Sequence, residues 1–147
     1  MRTIASLALL VVLVPVITAG TSSPPGGESE QAGKMEIREV FDDVQLGISQ
    51  ANVAIFSHHL HSQIRVTLHG GETGLYSANQ TYYLLQNFLR DRKPVSFAFT
   101  TYGQSESTPY GTGNAAFTFR GIRQHAQIYV ALAPEGGRWV ITLINIY

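Results

Sequence analysis

The segment FSHHLHSQ, Phe56 to Gln63, holds three of the five histidines in this chain: His58, His59 and His61. Three chemistries could use that density. The first is metal ligation. Zinc asks for three or four ligands that converge tetrahedrally. On an extended segment His59 and His61 share a face and His58 points away. On a helix, His58 and His59 diverge by about 100 degrees. A further ligand would have to come from His69, His125 or an acid such as Glu72. The chain has neither a helical His-x-x-x-His spacing nor a cysteine. No metal site and no cofactor are therefore expected. The second chemistry is proton transfer at neutral pH, for which His59 and His61 are the candidate bases. The third is simple electrostatics: histidines at a helix C-terminus meet the negative end of its dipole. That last reading leads, with the segment placed at a helix end.

Other motifs fail sooner. Gly111-Thr112-Gly113 is too short for a phosphate loop, and no helix follows it. Ser105 and Ser107 lack a nucleophile-elbow context. Asn79-Gln80-Thr81 spells a glycosylation sequon but falls inside an expected helix. His125 alternates with Arg123 and Gln127 on the polar side of a strand, which suits a surface better than chemistry.

The ends and the composition narrow the class. Arg2, an apolar run from Ile4 to Ile17 and the small residues Thr18, Ala19 and Gly20 form the pattern of a signal peptide over residues 1–20. The run is short for a bilayer, so no stable membrane span is expected after cleavage. The protein is expected in the periplasm or outside the cell. Residues 21–34 are rich in Ser, Pro and Gly and read as a flexible linker. Residues 35–147 read as a single domain. With no cysteine, that domain must be held by its apolar core, which about 110 residues can supply. Ten Lys and Arg balance ten Asp and Glu. No basic stripe stands out, which argues against nucleic-acid binding.

The elements follow from periodicity. Ile37, Val40, Phe41, Val44 and Ile48 recur at helical spacing over Met35 to Ser49. A second short helix is expected from about Asn52 to His59, capped by Asn52. Gln63 to Leu68 alternates as a half-buried strand, and residues 69–74 read as a loop. A third helix spans Ser77 to Asp91, opened by a Ser77–Gln80 capping box and closed before Pro94. Four strands follow: Val95 to Tyr102, Gly111 to Arg120, Ile122 to Ala133 and Arg138 to Tyr147. Short turns between them imply antiparallel pairing. The fold class is α+β, with three N-terminal helices packed on a strongly curved, mainly antiparallel sheet. Strict alternation puts Trp139, Ile141 and Leu143 on one face of the last strand and Val140, Ile144 and Ile146 on the other. It likewise sets Phe97 and Phe99 against Ala98 and Tyr102. Two apolar faces would call for a second covering layer, and a homodimer is the simplest one.

The stretches AIFSHHLHSQIRVTL, YSANQTYYLLQNFL and GGRWVITLINIY, in that element order, resemble the cone-shaped fold of nuclear transport factor two, ketosteroid isomerase and scytalone dehydratase. With the N-terminal leader they resemble a family of exported bacterial proteins known only as a domain of unknown function. The resemblance covers about Glu36 to the C-terminus. It implies a conical pocket between helices and sheet; Phe41 and Val44, with Phe97, Phe99, Phe117 and Trp139, are the candidates for its wall, most of them expected to be plain core. In ketosteroid isomerase a general-base aspartate comes from the neighbourhood of FSHHLHSQ. Here Ser57, His58, His59 and His61 stand there, and the third strand has no acid between Asn114 and Arg120 to assist an enolate. The expected function is thus an exported, non-catalytic domain that binds a small apolar ligand or a protein partner through its pocket or sheet face. The alternatives are a lyase or isomerase of ketosteroid-isomerase type with His59 or His61 as base, and a structural dimer of the cell envelope.

Overall fold

A computed structural model describes residues 26–147. The signal peptide expected over residues 1–20 and the first residues of the linker lie outside that range.

Helix α1 runs Gly26–Ser49. Its second half obeys the predicted stripe: Val40, Phe41, Val44 and Ile48 are buried. Residues 26–34, expected within the flexible linker, form its first turns. Glu28 sits in the first turn, where the helix dipole favours an anion. Lys34 Nζ pairs with Glu30 at 2.7 Å, one turn apart. Polar composition correctly marks these turns as exposed, but exposure alone does not stop a segment from being helical.

The expected second helix is two 3-10 turns, Val53–Ile55 and Ser57–His59. The structure therefore has two α-helices rather than three. Asn52 does cap the first turn, its side chain accepting from the Ala54 N–H. The chain then tightens to i→i+3 bonds: Phe56 N–H to Val53 O, and His59 N–H to Phe56 O. The Gln86 side chain of the next helix takes the Val53 N–H at 3.0 Å and donates to Ala51 O at 2.9 Å. A tertiary partner thus satisfies backbone groups that a longer helix would have bonded internally.

Strand β1 spans Leu60–Leu68 and β2 spans Thr73–Ser77. The sequence gives β2 no alternating apolar signal, because it is an edge strand held to β1 by backbone pairing, from Gln63↔Ser77 to Thr67↔Thr73. Helix α2, Ala78–Asp91, carries the full capping box: Ser77 Oγ accepts from Gln80 N–H, and Gln80 Oε1 accepts from Ser77 N–H. Replacing Ser77 by Ala is expected to cost about 1 kcal/mol, read as a lower urea midpoint with an unchanged slope. A loss under about 0.3 kcal/mol would show that packing, not the cap, fixes this helix start.

Strands β3 (Lys93–Ser105), β4 (Thr108–Phe119), β5 (Ile122–Glu135) and β6 (Arg138–Ile146) complete a six-stranded sheet of order β2-β1-β6-β5-β4-β3. All neighbours are antiparallel except β1 and β6. No described helix is long and apolar enough to cross a membrane.

Two of the sheet's register shifts, one on β3 and one on β6, change which of the expected residues share a face. On β3, Phe99 pairs with Gly113 and Thr101 with Gly111's neighbour Thr112, leaving Thr100 as the extra residue. On β6, Ile141 pairs with Leu132 and Leu143 with Ala131, leaving Thr142 extra. Each threonine hydroxyl donates to a carbonyl across the bulge, Thr100 to Thr112 O and Thr142 to Ala131 O, both at 3.4 Å. One inserted residue shifts everything beyond it to the opposite face. Tyr102 therefore joins Phe99 and Phe41 instead of opposing them. Ile141, Ile144 and Ile146 all enter the same core. The expected placement of Ile141 opposite Ile144 and Ile146 is corrected accordingly, while Val140 is also buried but lies outside that core. Helix α1 closes over the sheet with Gln45 Oε1 accepting from Phe99 N–H at 2.8 Å and Glu36 Oε1 accepting from Trp139 N–H at 3.1 Å.

Candidate functional site

The six residues expected to wall a pocket have separate fates. Phe41, Val44, Phe97, Phe99 and Phe117 are buried members of the hydrophobic core, and Trp139 packs against it half-buried. Much of the space between α1 and the sheet is thus filled by rings. Phe97 and Phe99 meet edge to face at 4.9 Å, and Phe41 meets Phe99 at 5.3 Å. What remains open are clefts at the margins of this packing, and two of the six residues reach them.

The first cleft, about 210 Å³, lies between α1 and the far end of the β3–β4 hairpin. Its apolar wall is Ile37, Phe41, Tyr102, Pro109 and Tyr110, and Lys34 and Arg38 stand at its rim. Helical spacing explains the rim: Lys34, Arg38 and Phe41 recur at four and three residues along one side of α1. The bulge at Thr100 delivers Tyr102. Its ring lies 5.3 Å from Phe41, yet it stays 48% exposed, so a large aromatic surface is left open to solvent. Partial desolvation raises the Tyr102 phenol above its ordinary value, Asp42 adds to the rise, and Arg38 opposes it. The raised value keeps the phenol in its neutral form, which can donate a hydrogen bond. Arg38, Asp42, Tyr102 and Tyr110 were not singled out by sequence. Only the helical spacing of Arg38 to Phe41 hinted at any of them.

The second cleft, about 280 Å³, is lined by His69, Phe88, Arg92, Phe117, Gln124, His125 and Ala126. Arg92 lies between the Phe88 and Phe119 rings, 4.5 and 4.6 Å from their centroids. Its Nη2 donates to His69 O at 3.3 Å. His69 and His125, far apart in sequence, both line this cleft and lie away from the histidine segment.

That segment is organised by acids the sequence did not connect to it. His59 Nε2 lies 3.0 Å from Asp43 Oδ2, and His58 Nε2 lies 3.8 Å from the same oxygen. The two imidazoles lie against each other, centroids 3.8 Å apart. His61 turns elsewhere, its Nε2 at 3.3 Å from Glu135 Oε1 and its Nδ1 against the Gln63 backbone. So it is His58 and His59 that share a partner, while His59 and His61 diverge. The 3-10 turn, tighter than an α-helix, and the side chains' fold toward α1 bring the neighbours together. Neither His59 nor His61 lines the two clefts.

Comparison with known proteins agrees with this architecture. The family described as a domain of unknown function (DUF4783) matches residues 41–147. No curated protein matches the chain. Among solved structures, a DUF4783 protein from Bacteroides uniformis superposes with a TM-score of 0.64 at 12% identity, over 71% of this chain and 93% of that one. An NTF2-like protein from Anabaena variabilis gives 0.62 at 13% identity, over 87% and 94%. A protein of ketosteroid-isomerase-like fold from Catenulispora acidiphila, in complex with trimethylamine, gives 0.58 at 10% identity, over 74% and 84%. The cone fold expected from the sequence is the fold of these neighbours, with a curved six-stranded sheet and two α-helices.

Proposed function

The chain belongs to the DUF4783 family, and we propose that it is an exported, non-catalytic domain that binds a small ligand with an apolar body and an anionic head in the cleft beside Phe41. The observation that carries this reading is the cleft's composition. Three aromatic rings and a proline form its wall, and Arg38 lines it together with Lys34, which is paired with Glu30. Binding sites of this kind place a few polar groups around an apolar interior. The cleft holds roughly seven waters' worth of liquid, which suits a short-chain or single-ring carboxylate and not a steroid. Exposed Tyr102 offers the wall, and its neutral phenol can donate to the head group.

The histidine-base alternative has less support. His59 and His61 are engaged by Asp43 and Glu135, and they lie outside both clefts.

Hexanoate is the probe of choice, with hexanol and trimethylamine as comparisons. The amine, which the Catenulispora fold neighbour holds, carries the opposite charge. Titration followed by amide chemical shifts is expected to show saturable changes confined to residues 34–41 and 102–110 for hexanoate, weaker ones for hexanol and none for trimethylamine. Arg38→Ala is expected to weaken hexanoate about tenfold, the order of one charge-assisted hydrogen bond, and to leave hexanol unchanged. Shifts scattered over the surface, or equal responses to hexanoate and trimethylamine, would refute the proposal.

A further inference from the structure

We infer that Asp43, His58 and His59 form a binding site for a divalent first-row transition metal, of which Zn²⁺ is the simplest test case. The sequence looks for a third ligand downstream of the histidines, whereas the fold supplies it from α1, upstream. One ligand atom from each residue lies within 4.8 Å of the others. In tetrahedral zinc sites with metal–ligand bonds of about 2.0–2.2 Å, neighbouring ligand atoms sit roughly 3.3 Å apart. The two separations from Asp43 Oδ2, 3.0 Å to His59 and 3.8 Å to His58, bracket that value. Small side-chain rotations suffice to bring all three onto one ion.

A divalent cation would accept a lone pair from each imidazole and from the carboxylate, in place of the hydrogen bonds that the ring N–H groups can make to Asp43. Two imidazoles and one carboxylate also form a donor set suited to zinc, nickel or copper rather than to calcium or magnesium.

The supports are rigid. Asp43 is flanked on α1 by Val40, Phe41 and Val44, all buried. His59 directly precedes Leu60, which pairs with Ile141 of β6. The side chain of His59 is only 13% exposed, whereas that of His58 is 58% exposed. The ion would thus be reached from solvent on the His58 side, where its remaining coordination position stays open to water. Glu39, one helical turn before Asp43, lines with it a depression that also holds Asp42 and Arg38.

The test is calorimetric titration of the untagged full chain with Zn²⁺, together with Co²⁺ absorption in the visible. One metal per chain is expected, with micromolar affinity and the intense d–d bands of a low-coordinate cobalt site. Asp43→Asn and His59→Gln are each expected to weaken binding at least about tenfold. His61→Gln and His69→Gln are expected to change nothing. His58→Ala removes an exposed ring, so it leaves the fold intact and is expected to weaken binding similarly. Binding weaker than about 1 mM, or unchanged affinity in His58→Ala, would overturn the inference. So would a loss caused by His61→Gln instead of by Asp43→Asn.

Discussion

Alanine at position 113 is expected to destabilise this protein more than a methyl group added to any other of the described glycines. Gly113 lies on β4 opposite Phe99 of β3 and Ile128 of β5. A Cβ there would sit 2.2 Å from the Ala98 carbonyl oxygen and 2.8 Å from the Ala98 carbonyl carbon and Phe99 Cα. These are backbone atoms of a hydrogen-bonded neighbour strand, so no rotamer change relieves the contact and the strands must part. The loss expected for Gly113→Ala is about 3 kcal/mol or more, at or beyond the upper end of ordinary overpacking. Gly111, two residues earlier, is the comparison. Its added Cβ would meet ring carbons of Phe99 and Phe41 at 3.0 to 3.1 Å, and side chains can shift where backbone cannot. Gly111→Ala is therefore expected to cost less. Urea melts of the two variants provide the check. A Gly113→Ala protein within about 1 kcal/mol of wild type would show that β3 and β4 can separate there without consequence.

The second large effect is expected from Phe41→Ala. Phe41 is 2% exposed and touches Phe99 and Tyr102, each at 5.3 Å between centroids. It is packed close over Gly111, where any larger residue would crowd it. Truncating a buried phenylalanine costs about 3–5 kcal/mol, a large share of the 5–15 kcal/mol typical of a domain. Phe41→Leu keeps most of the volume and is expected to lose only about 1 kcal/mol. The same ring forms the floor of the proposed binding cleft, so the two substitutions separate stability from binding. Phe41→Leu should remain folded while the amide shifts caused by hexanoate shrink. If Phe41→Leu bound hexanoate as well as wild type, the ligand would not be resting on this ring. If Phe41→Ala proved as stable as Phe41→Leu, the aromatic cluster would not be a close-packed core.

The packing of the two bulges also explains where reading along the chain succeeded and where it failed. The α1 stripe was legible because helical periodicity is local: Val40, Phe41, Val44 and Ile48 were placed on one face and are buried there. The capping box at Ser77 and Gln80 was legible for the same reason. Strand positions were legible within a few residues. The sides of those strands were not, because Thr100 and Thr142 each add one residue whose effect depends on pairing with a neighbour. Nothing in TTYGQ or ITLIN marks the point at which alternation resets. Strand β2 was missed because its pairing is made by backbone atoms of β1, which carry no sequence signal.

The candidate sites divide along the same line. The sequence by itself determined the residue types: a histidine-rich segment at the entry to β1, an aromatic-rich sheet, no cysteine, a balanced charge and an α+β order that fits the cone fold. It also determined the amphipathic stripe that directs α1 onto the sheet. Only the tertiary structure decided what those residues meet. Asp43 belongs to the histidines because α1 lies across the segment that follows it, 15 or 16 residues along the chain, and Tyr102 belongs to Phe41 because a bulge turned it inward. Local propensity is written in neighbouring residues, but a site is a coincidence of distant ones. Its geometry is fixed only when the core closes and sets the register of each strand against the next.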